Sequence, residues 1–261
     1  MAKQYKELSD SQWDEVKGFF ETGRKRKHCL RTILNAIFWM LRAGAPWRFL
    51  ESSYPKWQIV YYYYTKWNTD GTLDAMNEWL NSLEREGSGR ESTPSLMAAD
   101  SQSVKMGPFL SKDRGLDGNK KVNGRKRQTL VDTLGLVWAA CVHAANISDT
   151  VGGTKLVERI EGQVPRLKKI LIDHAYQGTF SEIAEQVLKI EVEVAAKPES
   201  TKGFIPIAKR WVVERTFAWF NFYRRLAKDY EQNVENSAAW MFWANSWLIL
   251  ERFDRKTKLN F

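Results

Sequence analysis

Met97-Ala98-Ala99-Asp100-Ser101-Gln102-Ser103-Val104-Lys105 is the stretch that decides the architecture. The apolar run Ser95–Ala99 leads directly into an acid, so it reads as a buried strand with Asp100 in its continuation. Two other stretches present an acid from a different element. Lys169-Ile170-Leu171-Ile172-Asp173 is a second short apolar run closed by a carboxylate, and Glu214 lies in Arg210-Trp211-Val212-Val213-Glu214-Arg215-Thr216-Phe217-Ala218-Trp219, which has helical spacing. Carboxylates brought together from separate elements can hold two divalent ions, and such a site makes and breaks phosphodiester bonds. Magnesium and manganese are hard ions that take oxygen ligands of this kind.

Taken singly, an Asp at a strand end is ordinarily a solvated turn residue, and a Glu in a helix ordinarily faces water. The joint pattern is more specific. Glu214 has Trp211, Val212, Val213, Phe217 and Ala218 around it, and a carboxylate in apolar surroundings is costly unless it is paired or binds a metal. A structural ion pair with Arg210 is the alternative. On a helical wheel Trp211 and Ala218 are expected to pack on the sheet while Glu214 reaches its edge.

Working outward, Gln128–Asp132 and Leu136–Ala144 read as a hairpin joined at Thr133-Leu134-Gly135. A helix follows at about 150–161, then the Lys169–Asp173 strand, a helix at Phe180–Leu188 and a strand at Ile190–Ala196. Pro206 and Ile207 open a long helix through about Arg225, and Val234–Phe253 is a Trp-rich helix. Three strands, then helix, strand, helix, strand and helix, is the order of a ribonuclease-H-like α/β core. Residues 1–86 read as all-α. Ser9 or Asp10 caps a helix carrying Trp13, Val16, Phe19 and Phe20. A second helix, His28–Leu41, stops at Arg42-Ala43-Gly44 before Pro46. Pro55 opens a third segment with Trp57, Tyr61–Tyr64 and Trp67, and Leu73–Leu83 is a fourth. The Gly, Ser and Pro content of 87–94 marks a linker, leaving 95–261 as the second domain.

Composition narrows the partners. The chain of 261 residues has a formal net charge of +9 and a pI near 9.4, which suits nucleic acid or an anionic membrane. The apolar stretches Ile33–Leu41 and Ala238–Leu250 are too short to span and contain Asn35, Asn245 and Ser246, so no membrane role is expected. The opening residues lack a secretory pattern. Cys29 and Cys141 form no Cys-x-x-Cys pair, which argues against zinc and disulfides and for a reducing cytoplasm. There is no Walker-type phosphate loop. Between Lys112 and Arg127 the bases Lys112, Arg114, Lys120, Lys121, Arg125, Lys126 and Arg127 outnumber Asp113 and Asp117, and three glycines make a flexible phosphate-binding loop the expectation. Arg24-Lys25-Arg26-Lys27 precedes a helix, and the short helices around Gly44 suggest a helix-turn-helix-like reader. Asp132, before a tight turn, and His174 and His143 read as structural.

Several segments together carry a resemblance. They are Asp100-Ser101-Gln102-Ser103-Val104-Lys105, Gly118-Asn119-Lys120-Lys121-Val122-Asn123-Gly124-Arg125-Lys126-Arg127, Val131-Asp132-Thr133-Leu134-Gly135, Asp173-His174-Ala175-Tyr176-Gln177-Gly178, the Arg210–Trp219 helix, and Arg224-Arg225-Leu226-Ala227-Lys228-Asp229-Tyr230-Glu231. With Gly44-Ala45-Pro46-Trp47-Arg48 and Trp57-Gln58-Ile59-Val60-Tyr61, they resemble the bacterial insertion-sequence transposases of the IS-five group over nearly the whole chain. The resemblance implies a DDE recombinase whose catalytic and metal-binding triad is Asp100, Asp173 and Glu214, loaded with two Mg2+ (or Mn2+) ions. It implies a helical domain that binds terminal inverted repeats, cleavage at the ends, joining of the 3′-hydroxyl to target DNA, a homodimer on double-stranded DNA, and a place at the bacterial nucleoid. Expected DNA contacts are Lys105, Lys120, Lys121, Arg125, Lys126, Arg127, Arg210, Arg215, Arg224 and Arg225. The chain departs from the group where Ile207 replaces a Tyr, where Asn221 replaces a distal base, with Arg224 or Arg225 one turn on, and where Tyr61–Tyr64 replace arginines. Two rival readings are a non-catalytic DNA-binding derivative and a nuclease that cuts without joining.

Overall fold

The structure, a computed structural model, describes residues 6–20, 23, 25–195 and 210–259, with side chains to residue 253. Helix α1, Asp10–Phe20, begins with a reciprocal cap: Ser9 N–H donates to Gln12 Oε1 at 2.8 Å, and Gln12 N–H donates to Ser9 Oγ at 3.3 Å. Helix α2, Leu30–Ala43, ends on Gly44 at φ +63°. A Cβ on Gly44 would lie 2.7 Å from the Arg224 Cβ, so both the left-handed turn and the close approach require glycine. A single 3-10 turn, Trp47–Phe49, leads to α3, Trp57–Thr69, and α4, Thr72–Glu86.

The sheet follows: β1 Leu96–Lys105, β2 Gly115–Asp117, β3 Val122–Asp132 and β4 Val137–Ala144. Two short helices, α5 Asp149–Gly152 and α6 Thr154–Ile160, lead to β5 Lys169–Ile172, α7 Thr179–Leu188 and β6 Glu191–Val194. The chain closes with α8 Trp211–Phe220, α9 Arg224–Ala227 and α10 Val234–Leu259. β1 is central. On one side β3 runs antiparallel to it, with Asp100 opposite Thr129, and β4 runs antiparallel to β3 beyond. β2 extends the start of β3. On the other side β5 and then β6 run parallel. This curled mixed sheet with crossover helices is the ribonuclease-H-like arrangement that the element order implied.

Strand alternation gives the sheet two apolar faces. Met97, Ala99, Leu130, Ile170 and Ile172 pack with Leu156, Val157, Phe180 and Ala184 from α6 and α7. Ala98, Val131, Ala140, Val142 and Leu171 belong to a larger core with α8, α10 and the four amino-terminal helices. Trp240, Trp243 and Trp247 are buried in that core, and Trp243 and Trp247 pack their rings on Phe38. A polar clamp crosses the same junction. Asn77 and Asn81 of α4 both donate to the Val137 carbonyl, at 2.9 and 2.8 Å, while Val137 N–H donates to Asn245 Oδ1 at 3.0 Å. Asn245 in turn donates to Asn77 and Asn81. One core therefore runs on both sides of residues 87–94, and the helical region and the sheet share it.

Two expectations need correction. The basic stretch before Arg127 is not loop throughout, because β3 begins at Val122 and carries Arg125, Lys126 and Arg127 as paired strand residues. The helix expected to reach Arg225 is interrupted after Phe220. Tyr223 is extended there, and the break lets α9 turn Arg225 inward to Glu231. Pro206 and Ile207 lie outside the described residues, as does Arg24 of the early basic run.

Candidate active site

Asp100 lies in the middle of β1, on the same face as Ala98, whose side chain packs in the α8–α10 core. The parallel register pairs Ala98 with Leu171. Two positions further along each chain, Asp100 and Asp173 come side by side, directed to that same face by strand alternation. Asp173 follows β5 and caps a 3-10 turn, His174–Tyr176, its Oδ1 accepting from Ala175 N–H at 3.0 Å. His174 turns to Gln177 at 3.2 Å and is exposed.

Glu214 stands in the first turn of α8. The β3–β4 hairpin seats this helix. Thr216 Oγ donates to the Gly135 carbonyl at 3.0 Å, and Arg215 Nη2 donates to the Leu134 carbonyl at 3.0 Å. Gly135, at φ +83°, lets the turn come this close: a Cβ there would meet Thr216 Oγ at 2.9 Å and the Trp219 ring at 3.1 Å. The buried face of α8 is Val212, Val213, Thr216, Phe217 and Phe220. Trp211 and Ala218 point outward, contrary to the wheel expectation, and the Glu214 side chain is 43% exposed. Its apolar sequence neighbours do not bury it, so desolvation does not argue for a metal at Glu214. The ion pair with Arg210 does form.

Arg210 links two of the acids. Its Nη1 donates to Asp100 Oδ2 at 3.2 Å and its Nη2 donates to Glu214 Oε1. Burial pushes the Asp100 carboxyl up to about 6, against the lowering effects of the Ser101 N–H and of Arg210, and the charges of Asp173 and Glu214 add to the rise. Beneath them the Tyr176 hydroxyl is buried and has no hydrogen-bond partner among the described residues. Burial drives it well above its ordinary value, and the charges of Asp100, Asp149 and Asp173 add to that. Among the described residues no three His, Cys, Asp or Glu side chains stand close enough to form a ready-made metal cage. The donor chemistry nonetheless fits a hard divalent ion: the charges of Asp173 and Glu214 both act on Asp100, and among the described residues Arg210 pairs with Asp100 and Glu214. The signal for Tyr176 was its place three residues after Asp173, on the turn that Asp173 caps.

The other basic residues divide into two groups. Lys105, Lys120, Lys121 and Arg224 are exposed, and Lys120 Nζ reaches the Ser101 carbonyl at 3.1 Å. Five of the expected DNA contacts instead turn inward. Arg125 donates to Asp229 at 3.4 Å and to the carbonyls of Glu231, Lys112 and Gln232 at 2.8, 2.9 and 3.2 Å. Arg127 donates to the Leu226 carbonyl at 2.6 Å. Lys126 pairs with Asp149 and the Ile147 carbonyl. Arg225 pairs with Glu231 and stacks over Trp47 and Trp240. Arg215 lies between the rings of Trp211 and Trp219, at 4.6 and 4.5 Å. These side chains hold the fold together and are committed within the protein. Asp132 is structural too: it is buried, accepts from Leu134 and Leu136 N–H, and pairs with Arg85 at 2.5 Å. His143 bonds Gln128 within the sheet.

No helix among the described residues is long and apolar enough to cross a membrane. The chain is 37% identical over 83 residues to the uncharacterized protein y4sN of Sinorhizobium fredii (strain NBRC 101917 / NGR234), a match covering 30% of this chain and 64% of that protein, so the chain spans less than two thirds of that relative. Residues 8–77 match the family described as "Putative transposase of IS4/5 family". Residues 91–249, well over half of the chain, match the family described as "Transposase DDE domain". With acids presented by the central strand, the neighbouring parallel strand and the helix across them, the chain belongs to the DDE transposases.

Proposed function

We propose that the chain is an active insertion-sequence transposase. It binds the terminal inverted repeats of its own element, cleaves DNA at those ends and joins the freed 3′-hydroxyl to target DNA. The observation that supports this best is that Asp100, its carboxyl raised to about 6 by burial, also feels the charges of Asp173 and Glu214 and shares Arg210 with Glu214. Two magnesium or manganese ions held by these three carboxylates would supply Lewis-acid stabilisation of the attacked phosphate and of the leaving oxygen. In the cleavage step water attacks phosphorus and the 3′-oxygen leaves as a hydroxyl, with a 5′-phosphate on the other fragment. In the joining step that hydroxyl attacks a target phosphodiester and displaces the target's own 3′-oxygen. One phosphodiester bond forms as one breaks, so no nucleotide cofactor is required.

The chain's own side chains have distinct parts in this scheme. Asp100 and Asp173 are held by adjacent parallel strands, and Glu214 by a helix fastened to the Gly135 turn. Arg210 neutralises Asp100 and Glu214 before loading, and once released from them it suits a DNA phosphate. Lys105, Lys120, Lys121 and Arg224 are the exposed bases placed to follow the DNA backbone. The helical region α1–α4 reads the ends. Two ends are handled together by a homodimer, at the bacterial nucleoid.

The test is incubation with labelled end DNA, a target plasmid and magnesium, beside an Asp173→Ala variant. Joined product from the unaltered protein alone is expected. Binding that survives chelator, with no cutting by either protein, would make the chain a DNA-binding module. Cut ends with no joined product would make it a nuclease.

A further inference from the structure

Between β1 and β2 the chain forms a loop, residues 106–114, whose Phe109 is 97% exposed. The loop is fastened, not slack. Arg114 donates to the Leu110 carbonyl at 3.0 and 2.5 Å and to the Gly107 carbonyl at 2.7 Å. Arg125, inside the protein, holds the Lys112 carbonyl at 2.9 Å, and Gly107 N–H donates to the Asp229 carbonyl at 2.7 Å. Such a scaffold keeps a large apolar ring in water, forgoing the gain that burial of a phenylalanine normally brings.

A second exposed ring is fixed to the same loop. Tyr230 is 48% exposed and packs on Gly107, where a Cβ would come within 2.9 Å of its ring. Lys228 Nζ lies 5.8 Å from the Tyr230 ring centroid. Lys105 at the end of β1 and Lys112 on the loop are exposed. Aromatic surface continues from Tyr230 into a cleft of about 540 Å³ walled by Trp47, Trp57 and Tyr61. Apolar rings alone would suit another protein. Rings set among lysines, on a chain of net charge +9, suit a polyanion that offers flat apolar faces.

We propose that Phe109 and Tyr230 form a stacking platform for unpaired bases of bound DNA, outside the catalytic centre, with Lys105, Lys112 and Lys228 neutralising the adjoining phosphates. The inference rests on the DNA-end reading above and adds a contact surface to it. Lys105 is five residues along β1 from Asp100, about 17 Å at strand rise, so the platform lies apart from the three acids.

The experiment measures binding of a fluorescein-labelled duplex with a single-stranded extension, copied from the DNA flanking the coding frame, by anisotropy in EDTA across a salt series. Phe109→Ala should weaken binding roughly ten- to hundredfold, the effect of one lost base–aromatic stack, and leave the salt slope unchanged. Phe109 is on the surface, so this variant folds. Phe109→Trp should bind as the unaltered protein does, with its fluorescence quenched by DNA. The double variant Lys105→Ala, Lys112→Ala should instead lower the salt slope by about two. Phe109→Ala binding within about twofold of the unaltered protein would overturn the platform. So would weakened binding accompanied by a lost dimer in sedimentation, which would assign Phe109 to contacts between copies. Failure of the unaltered protein to bind the duplex would overturn the end-binding reading itself, a separate result.

Discussion

Two charged regions of this molecule use the same residue types to opposite ends. Around Asp229 and Glu231, the arginines Arg125, Arg127 and Arg225 are buried and donate to carboxylates and carbonyls of the protein, Arg127 through Nη1 to the Leu226 carbonyl. Asp229 is matched in full: Arg125, Ser237 and the Glu231 N–H all donate to it. Around Asp100 the balance is left open. Among the described residues Arg210 pairs with Asp100 and Glu214 and no cation pairs with Asp173, Glu214 is half-exposed, and Asp100 carries a carboxyl raised to about 6. A charge cluster that the chain satisfies by itself acts as a structural joint. One that it leaves in surplus is suited to an external cation.

The largest expected effect breaks the closed cluster. Asp229→Ala strips Arg125 of its carboxylate in a buried site and should cost about 3–5 kcal/mol in urea denaturation; an unchanged midpoint would show that the cluster does not hold the fold. At the open site the loss should fall on chemistry. Glu214→Gln should reduce cleavage more than about a hundredfold while stability stays within about 0.5 kcal/mol, because the side chain is at the surface. If both fall together, the two regions are not different in kind.

Asp100→Asn sharpens the contrast by reversing a sign. The folded carboxyl keeps its proton up to about pH 6, whereas an unfolded one releases it near 3.8. Between those values the folded state binds more protons, so this group's contribution to stability falls as pH rises. In metal-free protein at neutral pH the amide should therefore raise stability by roughly 1–3 kcal/mol, and the gain should vanish below about pH 4. Thermal melts of both proteins across pH check this, and a destabilised variant at pH 7 would mean that Arg210 more than offsets the burial of Asp100. The smallest effect belongs to the exposed bases: Lys121→Ala should lower the salt slope of DNA binding by about one and leave folding alone.

Much of the site was legible because its signals are local. A short apolar run ending in an acid marks a strand, and the runs Ser95–Ala99 and Lys169–Asp173 both are strands; the second has near-correct limits, whereas β1 continues five residues past Asp100 to Lys105, where alternating polar residues carry no apolar signal. Gly44 and Gly135 announced their turns for the same reason. Arg125-Lys126-Arg127 misled because a run of bases has one appearance in sequence whether it faces water or acids. Its partners, Asp229 and Glu231, lie about a hundred residues away and on an element whose position the run itself does not encode. Glu214 misled in the opposite sense: its neighbours in sequence are apolar, but on a helix adjacent residues point in different directions.

The residue order by itself determined the strands other than β2, most of the helices and the excess of positive charge, since hydrophobic period, turn chemistry and composition act over a few residues. Tertiary structure alone decided which bases face out, which acids meet, and that the amino-terminal helices share a core with α10 and the sheet. Those outcomes depend on burial, and burial is set by what other parts of the chain bring to the same place.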